Sequence, residues 1–155
     1  YRYYDKAKKE VLFPLGYGLS YTKYTYSALE CDLFPQEGGV MRVQFEVCNA
    51  GQREGSEIAQ VYIGKRGSAV HRPVRTLAGF QRVHLKPGER KRVCIEIPWS
   101  EFAVWETASH SFAVENGAYE ICVGANSREI LLKEFVYPDG RLLEATDAES
   151  AHGPY

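Results

Sequence analysis

The chain has 155 residues, 45% hydrophobic and 25% charged, which suits one globular domain with a core of its own. Its formal net charge is -1, with Lys and Arg mixed among Asp and Glu, so no field steers it toward nucleic acid or an anionic membrane. No stretch reaches the roughly 18 apolar residues needed to cross a bilayer, and YRYYDKAKKE at the start lacks the apolar centre of a leader peptide.

The first element is irregular. LFPLGYGLSY, residues 12–21, sets Gly16 and Gly18 and the aromatics Tyr17 and Tyr21 into an otherwise apolar run that fits neither a helix nor a strand. Period two begins after it. Met41, Val43, Phe45 and Val47 alternate with Arg42, Gln44 and Glu46, the pattern of a strand with one buried face and one wet face. SEIAQVYIG, residues 56–64, is a second strand, mixed enough to be covered on both faces. TLAGFQRVHL, Thr76–Leu85, is a third, with Gly79 placed where a bulge could form. KPGE follows. Pro87 fixes φ at the second turn position and Gly88 supplies positive φ at the third, which predicts a type II turn joining Thr76–Leu85 to KRVCIEI, residues 91–97, as a hairpin. In that register both Phe80 and Val93 point into the core. WSEFAV holds a turn or so of helix, with Ser100 as its cap. SFAVE and AYEICVG are predicted to form a second hairpin through Asn116-Gly117 in a type I′ turn. EILLKEFVY, residues 129–137, is the last strand. From Pro138 onward PDGRLLEATDAESAHGPY has few large apolar residues, the composition of a tail or linker, disordered or loosely packed. Seven or eight short antiparallel strands make an all-β sandwich.

The cysteines Cys31, Cys48, Cys94 and Cys122 are far apart, each within a strand-like run and with no CxxC spacing. His71, His84, His110 and His152 supply no short-interval partner, so no metal site is expected. Buried free thiols are favoured over disulfides, and the absence of a Trp between Cys48 and Cys94 excludes the antibody pattern.

Carboxylates and aromatics are the residue types here that could carry chemistry. General acid–base chemistry needs carboxylates held close together, with at least one in an apolar pocket that raises its pKa. Glu57, Glu101, Glu106 and Glu115 qualify in number only, each lying in a polar strand face or a turn without a readable apolar pocket. No Gly-x-Ser-x-Gly, phosphate loop or His-Glu-x-x-His occurs. No autonomous active site and no cofactor are expected. Trp99, Phe102 and Trp105 read as core before sugar platform. NAGQREGSE, with Asn49, Gly51 and Gly55, reads as a turn between strands. HRPVR gathers His71, Arg72 and Arg75 around Pro73; a solvated loop and a contact patch both fit, and Arg is the cation favoured at interfaces.

Taken in order, YRYYD, LFPLGYGLSYT, VCNAGQREGSEIAQVYIG, RPVRTLAGFQRVHLKPGE and ENGAYEICVGANS resemble the C-terminal fibronectin type III-like domain of glycoside hydrolase family 3, the β-glucosidase and β-xylosidase type. The resemblance spans residues 1–136, with Leu15 where the family usually has Phe. It implies an immunoglobulin/fibronectin type III-like sandwich of seven or eight antiparallel strands. It also implies a parent whose TIM-like barrel carries the nucleophile and whose α/β domain carries the acid/base, both upstream. The SDW around the family nucleophile is missing, so this stretch lacks the catalytic pair.

The expected organisation is an interdomain segment over residues 1–22 leading in from an α/β domain, a sandwich over 23–137 and a tail over 138–155. The chain starts with Tyr1 and is expected to be a piece of a longer protein. The partners implied are the barrel and α/β domains of the same parent, with no nucleic acid, no membrane, and oligosaccharide contact left open. Residues 12–21 offer more apolar surface than one side of a small sandwich buries. Phe13, Leu15, Tyr17 and Tyr21, with Arg72 and Arg75, are therefore the interdomain contact candidates; folding back over the sandwich's own edge is the other reading. A carbohydrate-binding module is the alternative function. The lack of a leader and of any Asn-x-Ser/Thr leans toward a bacterial cytoplasm.

Overall fold

A computed structural model describes residues 22–34, 39–68, 72–108 and 110–137. Nine strands run through them: β1 (Tyr24–Phe34), β2 (Val40–Asn49), β3 (Gly55–Lys65), β4 (Thr76–Leu85), β5 (Arg90–Pro98), β6 (Ala103–Glu106), β7 (Ser111–Val114), β8 (Tyr119–Gly124) and β9 (Ile130–Val136). All described pairings are antiparallel. One sheet has the order β1-β2-β5, the other β4-β3-β8-β9, and β6-β7 form a small ribbon. The chain is an all-β sandwich, as its period-two patterning predicts.

The core lies between the two larger sheets. Alternation along β2 sends Met41, Val43, Phe45 and Val47 inward at zero exposure. Val93, Ile95 and Ile97 of β5 continue that surface, and Ala59, Val61, Ile63, Val83, Leu85, Ile121 and Val123 meet it from the second sheet. At one end Trp99, Phe102 and Tyr119 pack ring to ring with centroids 5.2 Å apart at each step. Each such large ring contributes a few kcal/mol by leaving water. β3 and β8 are central and buried on both faces over residues 59–64 and 119–124, which matches the mixed composition of residues 56–64.

Both predicted hairpins are corrected. Glu89 N–H donates to the Lys86 carbonyl at 2.9 Å and Gly88 has φ +76°, so Lys86–Glu89 does form the expected turn. It does not pair β4 with β5. Gly88 N–H donates to the Asn49 carbonyl at 2.8 Å and Asn49 N–H to the Glu89 carbonyl at 2.9 Å. The turn is thereby fastened to the end of β2, and β5 pairs with β2 while β4 stays with β3. Asn116-Gly117 likewise carries the chain out of the β6-β7 ribbon into the four-stranded sheet. Gly117 has φ +105° but Asn116 does not have positive φ, so the type I′ turn is not made.

Phe80 is a further correction. It is 67% exposed, while Val93 is buried at 1% as expected. Val61 pairs with Gly79 and Tyr62 with Leu77, so Ala78 is the extra residue of a bulge beside Gly79. Val83 and Leu85 face inward; on that alternation Gly79 points to the core and Phe80 away from it. Residues 99–101 form one 3-10 turn after Pro98, with no side-chain cap, and Ser100 lies inside it.

β1 was not anticipated. Ser27 pairs with Glu46 and Glu30 with Gln44, leaving Ala28 and Leu29 opposite Phe45 alone. Ala28 sits at φ +56° in this bulge, and the inward set changes phase there from Tyr24 and Tyr26 to Leu29, Cys31 and Leu33. The four cysteines are free, but only Cys122 is buried; Cys94 is exposed and Cys31 and Cys48 are half-buried.

Candidate functional site

Two clusters gather polar groups where the sequence pointed. The first is Asn49, the last residue of β2, at zero exposure. Its Oδ1 accepts from Thr22 Oγ1 at 2.7 Å and from Gly51 N–H at 2.9 Å, and its Nδ2 donates to the carbonyls of Arg53 at 2.8 Å and Leu85 at 3.0 Å. Every hydrogen-bonding position of the side chain is used. The group is a structural clasp joining Thr22 just ahead of β1, the β2–β3 turn and the end of β4, in keeping with the turn reading of NAGQREGSE.

The second cluster joins the β3–β4 connection to β8. Arg72 Nη1 lies 3.1 Å from Glu115 Oε2, which also accepts from Ser68 Oγ at 2.7 Å. The Arg72 side chain is 13% exposed and its guanidinium sits 5.7 Å from the centre of the Tyr119 ring; Lys65 Nζ sits 5.4 Å from the same ring. Next to this, Glu120 takes three cations: Lys133 at 3.2 Å, Arg66 at 3.4 Å and Arg75 at 3.5 Å. Cys122 Sγ donates to Glu120 Oε1 at 3.2 Å. Burial alone would push the Glu120 carboxyl up, but the Cys122 and Lys133 hydrogen bonds and the nearby cations outweigh it and hold the group below its ordinary value. Burial, then the Glu120 hydrogen bond, push the Cys122 thiol up to about 11, so it is an unreactive thiol.

Between these groups lies a cleft of about 380 Å³ bordered by Lys65, Arg66, Arg72, Arg75 and Glu120. Among the described residues, with Lys133 and Glu115 included, five cations meet two carboxylates. Arg75 Nε is buried without a hydrogen-bond partner. The arrangement suits an anionic side chain arriving from outside. The structure therefore brings Arg72 and Arg75 together, while Phe13, Leu15, Tyr17, Tyr21 and His71 lie outside the described residues.

Glu120 and Lys133 were not singled out from sequence, although a carboxylate in the middle of AYEICVG, a run buried on both faces, signals a need for cations. Of the weighed carboxylates, Glu115 is held by Arg72, and Glu101 is in the 3-10 turn. Glu57 is half-buried on β3, two residues before its buried run, and burial, opposed by the Ile58 N–H bond, raises its pKa. The Glu106 side chain lies outside the description. Trp99 and Phe102 are core at 1% and 0%, whereas Trp105 is 49% exposed with its ring edge-on to His110. Among the described residues no three His, Cys, Asp or Glu groups could hold a metal ion.

Residues 57–127 match the fibronectin type III-like domain family. The chain is 42% identical over 137 residues to thermostable beta-glucosidase B of Acetivibrio thermocellus, covering 88% of this chain and 18% of that protein. It superposes on beta-glucosidase 3B from Thermotoga neapolitana, solved in complex with alpha-D-glucose, with a TM-score of 0.79 and 40% identity over 88% of this chain and 19% of the other. The GH3 beta-glucosidase of Bifidobacterium adolescentis gives a TM-score of 0.82 at 33% identity, covering 88% and 20%. The chain thus spans less than a fifth of the length of the curated relatives it matches.

Proposed function

Since this chain is a fibronectin type III-like domain of the kind carried by glycoside hydrolase family 3 β-glucosidases, we propose that it is a non-catalytic domain that stabilises the catalytic domains of a β-glycosidase. The observation that carries this reading is its share of the relatives: it matches about a fifth or less of each β-glucosidase compared above, in a part that folds as a sandwich. In this reading residues 1–22 lead in from a preceding α/β domain, residues 23–137 are the sandwich and residues 138–155 are a tail. Phe13, Leu15, Tyr17 and Tyr21 make the interdomain wedge, and Arg72 and Arg75 a second contact. The parent hydrolyses O-glycosidic bonds in carbohydrate metabolism, and its barrel and α/β domains are the partners.

The test uses the full-length parent and its truncation. Removing residues 1–155 is expected to lower both the melting temperature and the turnover of a nitrophenyl glucoside. Residues 1–155 alone are expected to show no turnover. Turnover by the purified sandwich, abolished by one substitution within it, would sink the reading. The alternative, oligosaccharide binding, has the exposed ring of Trp105 in its favour; titration with cello- and xylo-oligosaccharides and with Trp105→Ala separates the two.

A further inference from the structure

The two outer faces of the sandwich are chemically unlike. On the three-stranded side, Arg42 pairs with Glu96 at 3.2 Å, Arg90 with Glu46 at 3.1 Å and Arg92 with Glu30 at 2.9 Å, and Arg92 also donates to Gln44 at 3.0 Å. These ladders are exposed and mutually neutralised, the pattern of a surface that stays in water. The four-stranded side is different. Of the six large apolar side chains exposed among the described residues, Ile58, Phe80, Leu131 and Phe135 belong to its strands and Val74 to the loop joining two of them; none belongs to β1, β2 or β5. Gln60, Tyr62, Glu120 and Cys122 occupy the positions that alternate with the core set of β3 and β8, and yet are buried. The cleft with its excess of cations opens beside them, where Arg66 lies 5.2 Å from the Phe135 ring.

Exposed apolar side chains beside a cationic cleft ask for an apolar surface edged by carboxylates. We propose that the outer face of the four-stranded sheet, centred on Phe80 and Ile58 and bordered by the Arg66–Arg75 cleft, is where the sandwich docks on the rest of its parent chain, and that the docking surface there presents Asp or Glu to the cleft. The occupant is assigned from length: about four-fifths of each matched β-glucosidase lies outside the region this chain covers. A second copy of this face would bring like charges together, which argues against a self-pair. The inference rests on the domain reading above and adds the face and its chemistry.

The experiment places a benzophenone amino acid at position 80 of the full-length parent, irradiates it and identifies the linked peptide by mass spectrometry, with the same group at position 94 on the opposite face as control. The expected result is a link from position 80 to a peptide upstream of Tyr1, and none from position 94. A link within residues 1–155, a link to a second molecule, or equal behaviour at both positions would overturn the assignment. Arg66→Glu, on a side chain 68% exposed, is expected to lower the yield from position 80 roughly threefold, and 1 M salt to act alike; an unchanged yield would overturn the acidic partner. Deleting residues 1–155 reads the domain role separately. If deletion destabilises the parent while position 80 stays unlinked, the face is wrong and the role stands; if deletion changes nothing, the role itself fails.

Discussion

Gly79 of β4 and Ile95 of β5 face each other across the sandwich so closely that a Cβ on Gly79 would lie 2.7 Å from Ile95 Cγ2. That gap lets the two sheets close over the middle of the core. Gly79→Leu is expected to cost about 1 to 3 kcal/mol by overpacking. Phe80→Ser, one position along, is expected to change the sandwich's own stability by less than about 0.5 kcal/mol, because its ring is already in water. Urea melts of both variants of this chain check the pair. A larger loss for Phe80→Ser than for Gly79→Leu would reverse the assigned inward face.

Asn49 sets a second prediction. Asn49→Ala removes four side-chain hydrogen bonds at a buried site, and a cost of roughly 2 to 4 kcal/mol is expected in denaturant melts. Asn49→Asp keeps the shape but turns the donor toward the Arg53 and Leu85 carbonyls into an acceptor. It is expected to cost as much at neutral pH and less in acid, where the carboxyl can donate. Equal stability of Asp and Asn at pH 7 would contradict the clasp.

Glu57 gives the pH dependence. Burial raises its pKa in the folded chain, so the folded state holds this proton more tightly than the unfolded one. Its contribution is most favourable below the ordinary carboxylate value and is lost as pH rises through that value toward the raised one. Glu57→Gln is neutral throughout and is expected to melt above the wild type at pH 7, the difference closing at acid pH. A variant that melts below the wild type at pH 7 would show that the charge is stabilised there.

For Arg72 and Glu115, with side chains only 13% and 17% exposed, either single removal leaves a nearly buried partner. Arg72→Met and Glu115→Gln are each expected to cost about 1 to 3 kcal/mol, and the double variant less than their sum by about 1 kcal/mol or more. Additive losses in thermal melts would mean that the pair is not coupled.

How far the sequence could be read follows from where strands are interrupted. β2 keeps unbroken alternation from Met41 to Val47 and its inward set is readable outright. β1 has the same kind of pattern, but Ala28 inserts a residue and moves its second half to the other phase. Read at one period, YTYSALECDLF therefore cancels itself. Phe80 was misplaced for a related reason: hydrophobicity proposed the inward residue, whereas closeness to Ile95 decided it, and a glycine announces closeness only ambiguously. Pro87-Gly88 named its turn correctly, but a turn does not say which sheet receives the next strand; the two Asn49 backbone bonds do. At the site, the cations of HRPVR were visible as a group. Their carboxylates were not, because Glu115 and Glu120 are 43 or more residues away and meet the arginines only once β8 is in place.

That same Pro87-Gly88 crossing bears on the rate at which the molecule assembles. β1 with β2 and β3 with β4 are sequence neighbours and can pair early. β5 must instead find β2 across separations such as Cys48 to Arg90, and β8 must find β3 across Gln60 to Gly124. These closures spend chain entropy before any core is sealed, so this topology belongs among the slower single-domain folders, in the range of milliseconds to seconds. During synthesis on a ribosome, neither sheet can be completed until its late strand has emerged, and until then the inner face of β2 has no partner from β5. Speeding refolding would therefore call for stronger early pairing in β1-β2 and β3-β4, since stabilising the late strands would chiefly slow unfolding.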